Sequence, residues 1–412
     1  MREQGSIEQG ADRPEDWWTG ESQWLGPPLT AVHLQQCCAL ARAHLLANQR
    51  PAGNFVYAYD WQRRDVIDED NAVRQAGAYW GLAQLQRAQP DAPTAAALDA
   101  ARAFWSDAAR YADGGRCWFV YPGAGEGRTG ALALVLLSCI AQLRTRGVAT
   151  DQRQALEGWL DAGLAQCLHL QTETGHFFDA IDSDSGDGFG PISPYADGEV
   201  LLAMAQSARY CGHHQLWPAI ELLAEAGYRD HVRIARQQDA DSPVTKGYYQ
   251  WASMSWFEMI GSGRCDAELW SERLIELACW MIDTHRVLRR RRNTAYAFEG
   301  IVCAYATARF RDDPRARKLS NVVRIGLRQL LRWQVGHPLA NAFVRGAAPD
   351  DHQARGGVQN ARNEALLRVD VAQHQAHAAL LALSWWWPML AEGAPAPSSF
   401  AVAVPTLLER TR

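Results

Sequence analysis

The stretch Gly175-His176-Phe177-Phe178-Asp179, followed after a loop by Pro194-Tyr195-Ala196-Asp197-Gly198-Glu199-Val200-Leu201-Leu202-Ala203-Met204-Ala205, decides the fold. It opens as a short extended run, passes through a loop dense in Asp and Gly, and ends in a helix beginning near Pro194. From Val200 onward that helix is too apolar to face solvent. A buried helix that opens with Tyr, Asp and Glu must present those groups to a cavity or bear the cost of burying them.

The same arrangement recurs. An amphipathic stripe of Leu34, Cys37, Cys38, Ala41 and Leu45 precedes an extended run at 53–57, a loop at 60–71, and an apolar helix from Ala72 through Trp80 to Leu85. Next come an amphipathic helix at 95–111, an extended run at 115–119, a Gly-rich loop at 122–128 and an apolar helix from Thr129. A helix at 151–170 leads to the quoted stretch. Helices at 217–229, 268–284 and 315–334 lead in turn to 246–251, 293–302 and, after a long loop, 371–387. Six pairs recurring at roughly 50 to 75 residues mark a repeat architecture. Amphipathic members fit an outer ring with one wet face, and apolar members fit an inner ring. An open solenoid needs capping repeats with polar outer faces, which the sequence lacks. The expected fold is therefore all-α, a closed (α/α)6 toroid of six hairpins with short extended segments in its loops. Residues 30–390 form the ring, with an arm at 1–29 pinned by Trp17, Trp18 and Trp24, and a tail at 391–412. In such a ring every outer-to-inner loop lies at one end, so the six loops converge on one funnel.

Composition bounds the partners. The 412 residues are 48% hydrophobic and 21% charged with net charge −5, which points away from a nucleic-acid partner. No apolar run is long enough to cross a bilayer. The polar, acidic N-terminus is unlike a signal peptide, and nine cysteines at no framework spacing suit reduced core thiols, so a cytoplasmic location is expected. The basic run 286–292 reads as a loop or helix end. The 17 tryptophans suit helix–helix cores and also stacking on flat ligands.

Candidate groups lie at the starts of the inner helices. The first loop offers Asp68-Glu69-Asp70-Asn71 and Arg74; a solvated acidic loop that caps a helix near Asn71 is the plainer reading. The third loop offers Asp182-Ser183-Asp184-Ser185-Gly186-Asp187, whose register does not fit a calcium loop. Beyond it come Tyr195, Asp197 and Glu199. Two residues apart on a helix, Asp197 and Glu199 point to different sides, so one of them faces the funnel, and helix-start capping competes with catalysis for both. The fourth offers Tyr248, Tyr249, Gln250 and Trp251 as a stacking wall. The fifth places Asn293, Tyr296 and Glu299 on one face, and Glu299 inside an apolar helix needs a partner or a function. The sixth brings Arg368, Asp370, Gln373, His374 and His377 into an apolar helix. The spacing of four lets Asp370 bond His374 and Gln373 meet His377, either as a tuned acid/base or as a satisfied buried pair.

In this layout the chain resembles the six-hairpin (α/α) toroids, a group containing many glycoside hydrolases, polysaccharide lyases and sugar epimerases. The resemblance spans about residues 30–390 and is architectural. It implies sugar binding in the funnel, with carboxylates, Tyr or His moving protons. Lanthionine cyclases share the toroid, but their zinc site needs a Cys followed by His, and no Cys here is followed by His. Asp68-Glu69-Asp70-Asn71 is one residue short of the acid motif of class II terpene cyclases, which use α/α barrels.

The expected function is a carbohydrate-active enzyme (hydrolase, lyase or epimerase) acting on a uronic-acid-containing or other polar glycan, with no cofactor or metal implied. Asp70, Tyr195, Asp197, Glu199, Glu299, Asp370 and His374 are the candidate catalytic groups. Arg74, Tyr249, Trp251, Tyr296, Arg368, Gln373 and His377 are the candidate substrate contacts, with the two arginines suited to grip a carboxylate. Two alternatives stay open: a terpene-cyclase-like enzyme with one deep acid near Asp70, and a non-catalytic toroid whose funnel polar groups all pair with each other.

Overall fold

The computed structural model describes residues 28–390; all but the last two residues of the arm, with its three tryptophans, and the tail from residue 391 lie outside them. Six amphipathic helices form the outer layer: α1 (Ala31–Ala47), α3 (Ala92–Ala108), α5 (Thr150–Leu170), α7 (Trp217–Gly227), α10 (Ala267–Asp283) and α12 (Ala316–Leu331). Six apolar helices form the inner layer: α2 (Ala72–Ala88), α4 (Thr129–Leu143), α6 (Pro194–Tyr210), α9 (Pro243–Ser262), α11 (Ala295–Phe310) and α13 (Val369–Leu381). A short α8 (Ala235–Gln238) extends the fourth outer member.

The burial pattern follows the sequence period. In α12 the buried Leu319, Val322, Val323, Leu327 and Leu330 recur at helical spacing, whereas every residue of α4 is buried. Short polar caps start several helices: Thr30 accepts from His33 N, Asp91 from Thr94 N, Ser193 from Ala196 N and Asp266 from Leu269 N.

Closure is explicit in the packing. Helix α2 packs on α4, α4 on α6, α6 on α9, α9 on α11, α11 on α13, and α13 back on α2. The chain is an (α/α)6 toroid. In this order α6 stands across the ring from α13, and α2 across from α9.

The loops at the funnel end are stitched by short antiparallel strands. Strand β1 (Ala58–Asp60) pairs with β2 (Asp65–Ile67) on one side and β8 (Leu366–Arg368) on the other, with Ala58 opposite Arg368. This joins the first loop to the sixth. Strand β5 (Glu126–Arg128) pairs with β6 (Phe178–Asp182), which pairs with β7 (Gly188–Ile192), joining the second loop to the third. A separate ribbon, β3 (Ala109–Tyr111) with β4 (Cys117–Phe119), follows α3.

Boundaries differ from the sequence reading in several places; the helix expected at 95–111, for one, ends at Ala108, and 109–111 form β3. The extended run 53–57 makes one isolated bridge, Phe55 to Gln49, and ladder pairing begins only at Ala58. The run 175–178 pairs from Phe178, because Gly175 closes a turn onto Thr172 with φ +93°. The fourth outer helix does not stop at 229: it continues through a π-helical turn, Tyr228–Ile234, into α8.

Candidate active site

Helix α6 begins at Ser193 and Pro194, which fixes the first turn so that Asp197 and Glu199 leave it in different directions. Asp197 is fully buried. Its Oδ1 accepts the Phe177 N–H at 2.7 Å, and its Oδ2 lies 2.6 Å from both His176 Nδ1 and His231 Nε2. It is thereby committed to the contact between α6, the 172–177 turn and the π-helical turn. Glu199 is buried too, but it lies over Gly130 of α4 and beside Val73 of α2, where any Cβ on Gly130 would strike its carboxylate. Among the described residues it has no hydrogen-bond or ion-pair partner. Burial pushes its carboxyl up to about 8, the Asp179 charge adds to this, and Arg128 offsets part of it. The protonated form of Glu199 is thereby favoured. Tyr195, exposed nearby, has its phenol raised by burial and by the Glu199 charge.

Arg128, the residue before α4, bonds Glu126 at 2.9 Å and also binds Asp179 of β6. The β5–β6 pairing brings this group to the third loop. The Gly-Arg-Thr-Gly run at 127–130 was the available sequence signal for it.

Across the ring, α13 carries the second set. Arg368 Nε donates to Asp370 Oδ1 at 2.9 Å, and Arg74 Nε reaches Asp370 Oδ2 at 3.3 Å. Both guanidinium groups lie over the Tyr57 ring, and Arg74 also binds the Tyr57 hydroxyl. Burial opposes ionisation of Asp370, but Arg368, His374 and Arg74 together hold it below the usual carboxylate range. The expected Asp370–His374 hydrogen bond is not made, because the two arginines occupy the carboxylate. Nor do Gln373 and His377 bond each other.

The partner of His374 is Glu299 of α11. His374 Nδ1 stands 3.3 Å from Glu299 Oε1 and 3.3 Å from Gln250 Nε2, while His377 Nδ1 stands 3.0 Å from the same Glu299 oxygen. Burial works against charge on both partners, but each stabilises the other: Glu299 is held below its ordinary value and His374 above its own. The second Glu299 oxygen, Oε2, has no partner. The packing beside this pair is aromatic. Trp251 stands 6.2 Å from the His374 ring and 5.8 Å from Trp80, and Trp80 packs its edge on His377 at 4.6 Å.

Several sequence-predicted groups fall elsewhere. Tyr249 is completely buried and donates to the Ala297 carbonyl at 3.2 Å, so it staples α9 to α11 and cannot meet a substrate. Gln373 is buried against Gly81 and Gly77 where α13 crosses α2, its Nε2 unpartnered. His377 is buried behind His374 on Trp80. Tyr296 is half-buried and packs under Lys246 Nζ.

Asp70 lies in an exposed rim loop, accepting from Tyr121 Oη at 2.6 Å and Gln75 Nε2 at 2.7 Å, while Asn71 caps α2 through Arg74 N. The terpene-cyclase alternative needed a deep acid there, and the loop position excludes one. In the third loop, Asp182 Oδ1 accepts the N–H groups of Asp184 and Ser185 and shapes the β6–β7 turn.

Sequence reading passed over His231 and gave His176 no role. Their approach across more than fifty residues depends on the π-helical turn, which the pattern of apolar residues does not encode. Together with Asp197 they are the described group whose donor atoms could hold a metal ion.

No protein-family model matches the chain, and no curated protein matches it by sequence. Solved structures do match in shape. The cellobiose 2-epimerase of Bacillus thermoamylovorans superposes with a TM-score of 0.60 at 12% identity, covering 85% of this chain and 99% of that one. A D-mannose isomerase gives 0.57 at 14% identity over 85% and 97%. A GH76 alpha-mannanase of Bacteroides thetaiotaomicron gives 0.53 at 10% identity over 84% and 94%. At these identities the likeness is one of fold: the chain shares the (α/α)6 toroid of these structures, with no single family identified.

Proposed function

We propose that the funnel binds a sugar and moves protons on it from two opposite walls, as in epimerisation or isomerisation beside a carbonyl. Glu199 on α6 serves as one acid/base, and His374 on α13, backed by Glu299, as the other. Burial raises the Glu199 carboxyl to about 8, and the Glu299 carboxylate outweighs burial to hold the His374 imidazole above its ordinary value, so each is suited to carry a proton to or from a sugar carbon. One group on each wall suits removal of a proton from one face of a carbon and its return to the other. A cellobiose 2-epimerase and a D-mannose isomerase are among the structures that share the chain's fold.

The observation that carries this reading is the buried carboxyl of Glu199, unpartnered among the described residues and set against Gly130. Hydrolysis by inversion needs a carboxylic acid on one side of the bond and a carboxylate able to activate water on the other. Asp70, Asp179, Asp197, Glu299 and Asp370 are all hydrogen-bonded or ion-paired to side chains, which leaves Glu199 without a second carboxylate to work with. A funnel of purely scaffolding polar groups, the non-catalytic alternative, would not leave this acid unpaired. Arg74 and Arg368 carry one positive charge beyond that of Asp370, which favours a polar or carboxylate-bearing sugar at that wall. Exposed Tyr195 offers a ring on which a sugar face can stack.

The test is incubation with a panel of aldoses, uronates and reducing disaccharides in deuterated water, read by NMR. Solvent deuterium should enter at the carbon next to the carbonyl of a turned-over sugar, and Glu199→Gln and His374→Asn should stop it. Turnover of a glycoside with no deuterium at carbon would overturn the reading.

A further inference from the structure

We propose that His176, Asp197 and His231 form a binding site for a divalent transition metal of the zinc class, on the outer side of α6 and separate from the funnel. The three side chains come from the turn before β6, the first turn of α6 and the π-helical turn. Their ligand atoms all lie within 4.8 Å of one another, and all three residues are buried. Two imidazoles and one carboxylate make a donor set that suits zinc and leaves a position for water; oxygen-seeking calcium or magnesium would find too few oxygens.

The surroundings resemble those of a metal centre more than those of an ordinary core histidine pair. Histidine ligands commonly give their second ring nitrogen to a carboxylate, which sets the tautomer and the ring orientation. His176 Nε2 lies 2.8 Å from Asp230 Oδ2, and Asp230 is itself gripped by Arg229 at 2.6 and 2.9 Å. The other ligand oxygen of Asp197 is fixed by the Phe177 N–H. His231 is aimed by the π-helical turn, whose backbone is pinned by the Thr245 hydroxyl donating to the His231 carbonyl at 2.7 Å. π-helical turns are uncommon and concentrate at functional sites. Asp230 is partly exposed and marks the way in.

Without an ion, protons take its place. His176 Nδ1 and His231 Nε2 each approach the same Asp197 oxygen at 2.6 Å, a hydrogen-bond length. Tetrahedral zinc separates neighbouring ligand atoms by about 3.3 Å, so the ion spreads these groups by about 0.7 Å.

The full chain, stripped with chelator, is titrated with zinc in a calorimeter and with cobalt(II) by visible absorption. One equivalent should bind, with an intense ligand-field band for cobalt. His231→Gln should abolish the band. Asp230→Asn, which leaves all three ligands in place, should weaken zinc about 10- to 100-fold. Absence of saturable uptake by the parent chain overturns the site, as does unchanged affinity in both variants. If His231→Gln fails to fold, Asp230→Asn decides alone.

Discussion

Helices α6 and α13 face each other across the ring, and both open with acidic residues inside an apolar helix, yet the surrounding chain treats those acids in opposite ways. On α13 the acid at the first turn, Asp370, is clasped by Arg368 and Arg74 and kept ionised. On α6 the comparable charge is divided. Asp197 takes two imidazoles and a backbone N–H on the outer side, while Glu199 on the inner side has none, which favours its protonated form. Carboxyl groups at equivalent places thus differ by which neighbours the loops bring. Funnel chemistry follows from partner supply and not from the acids alone.

The sharpest way to break this contrast is to neutralise each wall in turn. Glu199→Gln and His374→Asn should each lower kcat by about 10²- to 10⁴-fold with the fold intact by circular dichroism, and the double variant should lose less than the product. Asp197→Ala strands two imidazoles and the Phe177 N–H in a buried place, and should cost about 3–5 kcal/mol in urea unfolding. The corresponding change at the rim, Asp70→Asn, belongs at the other end of the scale.

Between these, Gly130→Ala pushes a methyl group into the Glu199 carboxylate. It should destabilise by about 1–3 kcal/mol and lower activity while leaving the α13 wall untouched. The pH dependence separates the walls further. Glu199 has a folded value of about 8 against an ordinary 4.5, so the folded chain holds a proton that the unfolded chain has lost between those limits. The stability it contributes is complete below about pH 4.5 and is lost as pH rises through about 8. Across that window the parent should lose about 1.4 kcal/mol per pH unit relative to Glu199→Gln, measured by denaturation at each pH. Asp370, held low, has the opposite sign: its contribution falls away only in acid. The smallest effect is expected for Asp70→Asn, less than about tenfold in kcat/KM, because its Tyr121 and Gln75 contacts hold a loop and involve neither Glu199 nor His374.

Much of the ring was legible because the alternation of amphipathic and all-round apolar helices is a direct trace of outer and inner position. Glu299 and His374 were legible for a related reason, since charge in an apolar helix demands a partner. The identity of that partner was not. His374 found Glu299, on the neighbouring helix, where local spacing had suggested Asp370, and Asp370 was taken by an arginine two residues before it and another on α2. Helical spacing describes only one helix, whereas these bonds cross between helices. The same limit hid His231, whose direction depends on a π-helical turn. Tyr249 misled for the opposite reason: an aromatic residue beside the funnel in sequence lies between two inner helices in space.

The pairing of β1 with β8 has a consequence for how the protein is made. Ala58 meets Arg368 only after roughly 300 further residues have been synthesised, a separation that makes ring closure a late, slow contact. Until α13 leaves the ribosome, the apolar faces of α2 and α11 that it covers stand open, and one wall of the funnel is absent. Helical hairpins can form early and locally, but the closed ring cannot ripen by degrees. It comes into being in one step, when the last hairpin docks against the first.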